Sequence, residues 1–219
     1  MGVAHMQTEA FILLGVIAAG LLVWAVAGYV YRNRASTGWQ IGPILPDGSS
    51  TSKGYPVRPE TPAGMECAFD FLVGNTKHVH YLTRDRGPIS GTALRVRYRV
   101  TAAEGGFFYA QEGGAGAWVS IFLQRAGDDF TAVGDLTYWR WWALPPYRGD
   151  VVAGEFEIEV PLESQYWRHT MGDTGDEWFR QLLASKGRMG VTFGGPTGLG
   201  HGVCSSRPAR FELLAFEVV

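Results

Sequence analysis

The stretch Leu94-Arg95-Val96-Arg97-Tyr98-Arg99-Val100 alternates apolar and basic residues without a break. Successive side chains of a β-strand point to opposite faces, so this pattern predicts a half-buried strand with its three arginines on one face. Similar apolar or alternating runs recur along the chain and are separated by glycine-rich turns. The other predicted strands are Cys67–Phe71, Trp118–Arg125, Leu136–Ala143, Phe156–Val160, Met189–Phe193 and Phe211–Val218.

One short helix is predicted among these strands. Asp176 and Glu177 follow Thr174 as in an N-terminal capping box, and apolar residues at positions 178, 179, 182 and 183 recur at helical spacing. About eight strands with one helix favour a mainly β domain over residues 65–219. We expect an antiparallel β-sandwich of the jelly-roll type.

Three segments of this domain resemble the galactose-binding-like jelly rolls, a group that includes many carbohydrate-binding modules. They are residues 91–100, residues 154–162 followed by Trp167, and residues 209–216. In that group a comparable strand follows a G-x-x-L start, a VPL run followed by Trp closes a strand before a loop, and the final strand is apolar. The resemblance covers residues 65–219 and implies the jelly-roll fold, while a fold by itself implies no activity.

A second resemblance is carried by His80–Thr83, Gly87–Ile89 and Gly194–Val203. These segments are similar to the HYLT…GPI start and the GGxxGxGHGV turn of a set of uncharacterised bacterial proteins. That similarity implies no function.

Residues 35–64 are predicted to form an extended linker. They are rich in Gly, Pro, Ser and Thr, and they show neither a helical nor a strand period. A free linker seldom carries many apolar side chains, and so we expect this one to lie along another surface. Its apolar residues are Trp39, Ile41, Ile44, Leu45 and Tyr55.

Residues 1–34 are predicted to hold an N-terminal tail and one transmembrane helix. Phe11–Tyr31 contains no charged residue and is long enough, at ~1.5 Å per residue, to cross a hydrocarbon core of roughly 30 Å. The alternative is a cleaved signal peptide, because residues 25–27 resemble a cleavage site, but no Lys or Arg occurs in the first ten residues. The predicted anchor residues are Phe11, Leu14, Leu21, Trp24, Tyr29 and Tyr31, of which the last three suit an aromatic belt.

The orientation of this helix is predicted from charge. Arg32 and Arg34 follow it directly, and no Lys or Arg precedes it. The positive-inside rule then places the β domain in the cytoplasm, with the helix crossing a bacterial inner membrane once. The opposite topology, with a periplasmic domain, is the alternative.

The run Tyr138-Trp139-Arg140-Trp141-Trp142, together with Trp39, is the strongest candidate binding site. On a strand, Trp139 and Trp141 share one face, while Tyr138 and Trp142 share the other. Exposed rings of this kind stack on sugars, but the same residues also form protein–protein hot spots or simply fill a core. We favour the protein-partner interpretation.

No catalytic residue is predicted, because no nucleophile elbow, HExxH motif or Ser-His-Asp arrangement is visible. His78 and His80 would point to the same side of a strand and form a weak metal candidate, since a site needs three or four ligands. We therefore expect neither a metal nor a cofactor. Cys67 and Cys204 are expected to be buried free thiols, although they would meet if the first and last strands pair.

These patterns favour a non-catalytic accessory subunit of a larger membrane complex, of the respiratory or photosynthetic type, with other membrane subunits and the lipid bilayer as partners. The alternative is a membrane-tethered carbohydrate-binding module, which requires a periplasmic domain. A net charge of −2 argues against a nucleic-acid partner. A glycan-cleaving enzyme is a third hypothesis, with no sequence feature in its favour.

Overall fold

A computed structural model of the chain describes residues 38–111, 116–172, 175–196 and 198–219. This part of the chain is mainly β and contains one α-helix, α1 (Asp176–Ala184), with short 3₁₀ turns at Gly134–Tyr138 and Ser164–Tyr166. The strands are β1 (Gln40–Gly42), β2 (Cys67–Phe71), β3 (Tyr81–Arg86), β4 (Ala93–Ala102), β5 (Phe108–Ala110), β6 (Trp118–Arg125), β7 (Arg140–Ala143), β8 (Arg148–Asp150), β9 (Gly154–Pro161), β10 (Trp167–His169), β11 (Gly187–Gly194), β12 (Val203–Ser205) and β13 (Ala209–Val218).

The strands pair antiparallel in three sheets. A seven-stranded sheet has the order β1-β3-β11-β6-β7-β10, with β8 also paired to β6, and a four-stranded sheet has the order β2-β13-β4-β9. The short strands β12 and β5 pair with each other. The prediction of a mainly β, antiparallel domain with one helix is therefore confirmed.

The two larger sheets share one hydrophobic core, as in a β-sandwich. Phe193 of the seven-stranded sheet meets three rings of the four-stranded sheet edge to face. The distances between ring centroids are 5.7 Å to Phe69, 6.0 Å to Phe71 and 5.1 Å to Phe211. Burial of each such ring contributes about 1.5–3 kcal/mol. The apolar side chains of β4 and β6 that point inward join the same core.

The alternating strand that opened the sequence analysis is β4, in the middle of the four-stranded sheet. Its arginines all lie on the side turned away from the core, where Arg95 pairs with Glu159 at 2.7 Å and Arg99 with Glu155 at 3.0 Å. Each exposed pair of this kind contributes only about 0–1 kcal/mol. This side of the sandwich is thus a solvated, ion-paired surface.

The predicted helix is present as α1, which buries Phe179 and Leu182. Phe179 packs between the rings of Trp141 and Trp167, at 5.1 Å and 5.5 Å between ring centroids. Gly175 precedes the helix and provides no side-chain cap, and Thr174 of the predicted capping box lies outside the described residues.

The predicted strand Leu136–Ala143 is wrong over its first half. Residues Gly134–Tyr138 form a 3₁₀ turn, and the strand β7 begins only at Arg140. Gly134 has φ of 57°, which starts the turn, and the indole N–H of Trp141 donates to the carbonyl of Tyr138 at 2.7 Å, which closes it. Trp139 therefore does not share a strand face with Trp141.

Part of the predicted linker belongs to the β-structure. Strand β1 lies within residues 35–64 and pairs with β3, with Ile41 opposite Leu82. Trp39, Ile41 and Tyr55 are buried in the core of the same chain. The surface along which these apolar side chains lie is therefore the β domain itself, and the folded part starts before residue 65.

Within the described ranges, no helix is long and apolar enough to cross a membrane. The predicted transmembrane helix Phe11–Tyr31, with all of its predicted anchor residues, lies outside those ranges.

Alkaline pH is expected to unfold the domain through its buried tyrosines. Burial raises the pKa of Tyr55 from 10.0 to about 12, and burial also raises the pKa of Tyr98. Below pH 10 both folded and unfolded chains keep these protons, so the contribution to stability is complete. Above pH 10 the unfolded chain loses them first, and each tyrosine then costs ~1.4 kcal/mol of stability per pH unit.

Absorbance of tyrosinate, recorded with circular dichroism, checks this expectation. The part of the tyrosinate signal that comes from Tyr55 and Tyr98 should appear above pH 10 together with the loss of the β signal, because these buried hydroxyls ionise on unfolding, whereas the more exposed tyrosines ionise without it. Complete ionisation at an ordinary tyrosine pKa, with the β signal unchanged, would contradict it.

Candidate functional site

Two of the predicted aromatic site residues belong to the core. Trp39 is 2% exposed, packs on Phe216 and donates its indole N–H to Glu66 at 2.9 Å. Trp141 is completely buried between the sheet and α1. Both rings therefore pack inside the core of this chain.

Tyr138 and Trp139 are half-buried at the edge of the sandwich. Tyr138 stacks on Trp178 of α1 with 4.6 Å between ring centroids and an angle of 5° between planes. The guanidinium of Arg125 lies over the ring of Trp139 at 4.8 Å. Both aromatic faces therefore already have partners within the chain.

Arg140 and Trp142 lie on the side of the seven-stranded sheet that is turned away from the four-stranded sheet. We call this side the outer face. Trp142 forms a second, smaller apolar cluster there with Tyr81 and Phe122. The structure thus divides the predicted run between the core and the outer face, and it gathers other residues around Arg140 and Trp142.

Strand register defines the outer face. One row across four strands contains Arg148, Ser120, Thr192 and Tyr81. The next row contains Arg168, Trp142, Phe122 and Gly190. A third row contains Arg140, Gln124, Arg188 and Asp85. Aromatic rings, hydroxyls and guanidinium groups therefore alternate across one surface.

The outer face holds buried polar atoms that have no hydrogen-bond partner in the described protein. They include the indole N–H of Trp142, the hydroxyl of Thr192, the Nε of Arg148 and one terminal nitrogen of Arg140. Buried polar groups are nearly always paired, and an unpaired one costs about 1–3 kcal/mol. Among the described residues, these unpaired groups are concentrated on one sheet face.

Two loops border this surface. Phe130, in the loop after β6, and Leu199, in the loop after β11, both pack on the cluster of Tyr81, Phe122 and Trp142. Gly200 has φ of 75°, and a Cβ atom at this position would lie 2.5 Å from the hydroxyl of Tyr81, so only glycine fits there. Gly200 thus packs closely on Tyr81 at one border of the outer face.

A buried ion pair anchors the first of these loops. Arg140 Nε lies 3.0 Å from the carboxylate of Asp128, whose side chain is completely buried. Asp128 also accepts hydrogen bonds from the Gln124 amide at 2.9 Å and from the Phe130 backbone N–H at 3.1 Å. Burial raises the pKa of Asp128, while Arg140 and these hydrogen bonds act in the opposite direction.

The histidine pair shows no metal-binding geometry. The rings of His78 and His80 are 6.4 Å apart between centroids, and His80 Nδ1 lies 3.1 Å from the carbonyl of Gly200. Burial lowers the pKa of both histidines. Among the described residues, no group of three or more His, Cys, Asp or Glu side chains is placed to hold a metal ion.

The two cysteines are free and buried. Cys67 lies in β2, opposite Leu213 of β13, whereas Cys204 lies in β12, opposite Tyr109 of β5. Burial raises the pKa of both thiols, which makes them poor nucleophiles.

Sequence reasoning missed Arg148, Arg168, Thr192 and Tyr81 as members of a site. Arg148 follows a Pro-Pro pair and Arg168 follows Trp167, with no strand period around either residue. Neither position carries a sequence signal for binding, because only strand pairing brings them together.

A scan against protein-family models found no matching family, and a search of curated proteins found no match for this chain.

Proposed function

We propose that the chain is a non-catalytic, membrane-anchored glycan-binding protein of the jelly-roll type, which holds its ligand on the outer face. The observation that carries this proposal is the collection of unpartnered buried hydrogen-bonding groups beside aromatic rings on one sheet face. Sugar hydroxyls supply hydrogen-bond partners, and the apolar faces of sugar rings suit tryptophan and tyrosine.

Strand order supports the jelly-roll part of the proposal. Eight principal strands are, in chain order, β2, β3, β4, β6, β7, β9, β11 and β13. The first, third, sixth and eighth of them form the four-stranded sheet, and the others lie in the seven-stranded sheet. Crossing between sheets in this way is typical of a double Greek key.

The glycan-binding proposal places the domain in the periplasm or outside the cell, where glycans are found. The two arginines after the predicted membrane helix favour the opposite orientation, so topology is a direct check. A reporter fused to the C-terminus, active only outside the cytoplasm, should therefore be active.

An accessory subunit of an inner-membrane complex is the second candidate. Its specific support is an exposed apolar patch beside β12, where Val73 is 50% and Phe107 is 61% exposed. Of the residues that first suggested a protein partner, Trp39, Ile41, Tyr55 and Trp141 instead pack in the core of this chain. The remaining patch is small, and for this reason we place this candidate second.

Full-length protein, purified in mild detergent, is expected to bind oligosaccharides from a glycan array in a saturable manner. Thr192→Val should lower the affinity about two- to tenfold, because it removes a hydroxyl that the ligand uses. The same variant should fold with unchanged or slightly higher stability, since that hydroxyl has no partner in the folded protein.

Thr101→Val is the matched control, because Thr101 is exposed on β4 in the other sheet. Absence of saturable binding to any glycan, with recovery of the chain in a stoichiometric set of membrane subunits, would replace this proposal with the second candidate. Equal affinity of the Thr192 variant and the wild type would move the site away from the outer face.

A further inference from the structure

Arg148 and Arg168 lie close together on the outer face, although they belong to different strands and are far apart in the sequence. Register places Arg148 opposite Ser120, with Thr192 one strand further along the same row, and it places Arg168 opposite Trp142 in the adjacent row. Burial lowers the pKa of Arg148, and the charge of Arg168 lowers it further. Like charges held together in this way repel each other unless an anion lies between them.

Among the residues that the structure describes, neither arginine has an acidic partner. Within the described ranges, no carboxylate lies within ion-pair distance of Arg148 or Arg168, whereas Arg140 pairs with Asp128 and Arg188 with Asp85. Burial lowers the pKa of Arg148 to about 10, so the side chain still carries its charge at neutral pH. The outer face therefore combines two neutralised arginines with two that are not neutralised.

The geometry around Arg148 suits recognition of an anionic group. Its guanidinium lies 4.9 Å from the centroid of the Trp118 ring, which holds the planar group in place, and its buried Nε has no hydrogen-bond partner among the described residues. Arginine binds carboxylate and sulfate-like oxygens with two parallel hydrogen bonds. A stacked guanidinium is thus prepared for bidentate binding.

The unpaired polar groups next to Arg148 also favour a ligand that accepts hydrogen bonds. Trp142 is 6% exposed and its indole N–H only donates, as does Arg148 Nε, whereas Thr192 is 1% exposed and its hydroxyl both donates and accepts. Donors therefore outnumber acceptors at this site. The complementary ligand is rich in acceptor oxygens.

We propose that Arg148 and Arg168 form a subsite for the acidic group of a glycan, a carboxylate or a sulfate, while Trp142 and Thr192 contact the adjoining sugar. This inference rests on the proposed function and names the class of glycan. The stacking of the Arg148 guanidinium on Trp118 and the excess of hydrogen-bond donors around it favour an acidic glycan over a neutral one.

The test compares wild-type and variant full-length protein, in mild detergent, by isothermal titration calorimetry. The probes are oligogalacturonate, a sulfated galactan oligosaccharide, and neutral malto- and cello-oligosaccharides of the same length. We expect the wild type to bind at least one acidic probe tenfold or more tightly than the neutral ones. Arg148→Gln with Arg168→Gln should remove that advantage without lowering affinity for neutral probes.

Two further variants separate binding from folding. Arg148→Lys retains the charge and the apolar stem, and so it should retain the fold and lose part of the acidic preference. Arg97→Gln is the matched control, since Arg97 is an exposed arginine on the opposite face of the sandwich. Its affinity for every probe should equal that of the wild type.

The outcomes are distinct. Equal binding of acidic and neutral glycans, unchanged in the double variant, would overturn the acidic subsite and leave glycan binding intact. No binding of any glycan would overturn both proposals. Binding of an acidic peptide such as oligoglutamate, with the same dependence on both arginines and no glycan binding, would also overturn both and indicate a protein ligand.

Discussion

Gly190→Ala is expected to destabilise the β domain by at least ~3 kcal/mol or to prevent folding. Gly190 lies in the middle of β11, between Phe122 of β6 and Thr83 of β3. A Cβ atom at this position would lie 2.0 Å from the carbonyl oxygen of Leu82 and 2.7 Å from the Cα of Thr83.

The size of this effect follows from what the new methyl group would meet. Both close atoms belong to the backbone of β3, which is hydrogen-bonded on both sides within the seven-stranded sheet. A flexible side chain would move aside, but a central strand moves only by losing its ladder of hydrogen bonds. The substitution therefore separates β11 from β3 and disturbs the core beneath them.

Urea denaturation followed by circular dichroism measures this effect. Gly87→Ala is the control, because a Cβ atom there would have no heavy atom within 4 Å. That control should change stability by less than about 0.5 kcal/mol. A Gly190 variant that unfolds at the wild-type urea concentration would show that β3 and β11 are not held this closely.

Asp128→Ala is expected to cost about 3–5 kcal/mol, because it leaves the Arg140 guanidinium buried without a counter-charge. The Arg140 side chain is 9% exposed and that of Asp128 is 0% exposed, so water compensates little of the loss. The Gln124 amide and the Phe130 N–H lose their acceptor as well. Phe130 has φ of 67°, a conformation that this carboxylate helps to hold.

The same denaturation assay tests this expectation against Glu159→Ala, which breaks an exposed ion pair and should cost about 0–1 kcal/mol. A double variant, Asp128→Leu with Arg140→Met, should recover much of the stability, because replacing a buried pair by apolar side chains is often neutral. Equal losses in the Asp128 and Glu159 variants would mean that the Arg140 pair is solvated and that the loop over the outer face is not anchored by it.

Local pattern predicted the elements that are long and have one side in water. Strand β4 has strict alternation because its arginines face solvent while its apolar residues face the core, and α1 repeats its apolar residues for the same reason. Six strands were not predicted, and five of them, β1, β5, β8, β10 and β12, are three residues long and partly or wholly buried. A run so short does not establish a period.

The assignment of aromatic residues to faces failed for a related reason. Trp139, Trp141 and Trp142 are similar in sequence, yet one caps a turn, one lies in the core and one lies on the outer face. The difference depends on where β7 starts and on the second sheet that covers one side of it. Neither can be predicted from the eight residues of the predicted strand Leu136–Ala143 alone.

By itself, the sequence of this protein determined a mainly β, antiparallel domain with one amphipathic helix, because alternation and helical spacing are local consequences of burial on one side. Only the tertiary structure decided which polar residues lie together on the outer face. Arg148, Arg168, Thr192 and Trp142 come from four strands, and their proximity depends on antiparallel register across the seven-stranded sheet. Each is ordinary in its own segment, and their shared lack of partners exists only after the strands have paired.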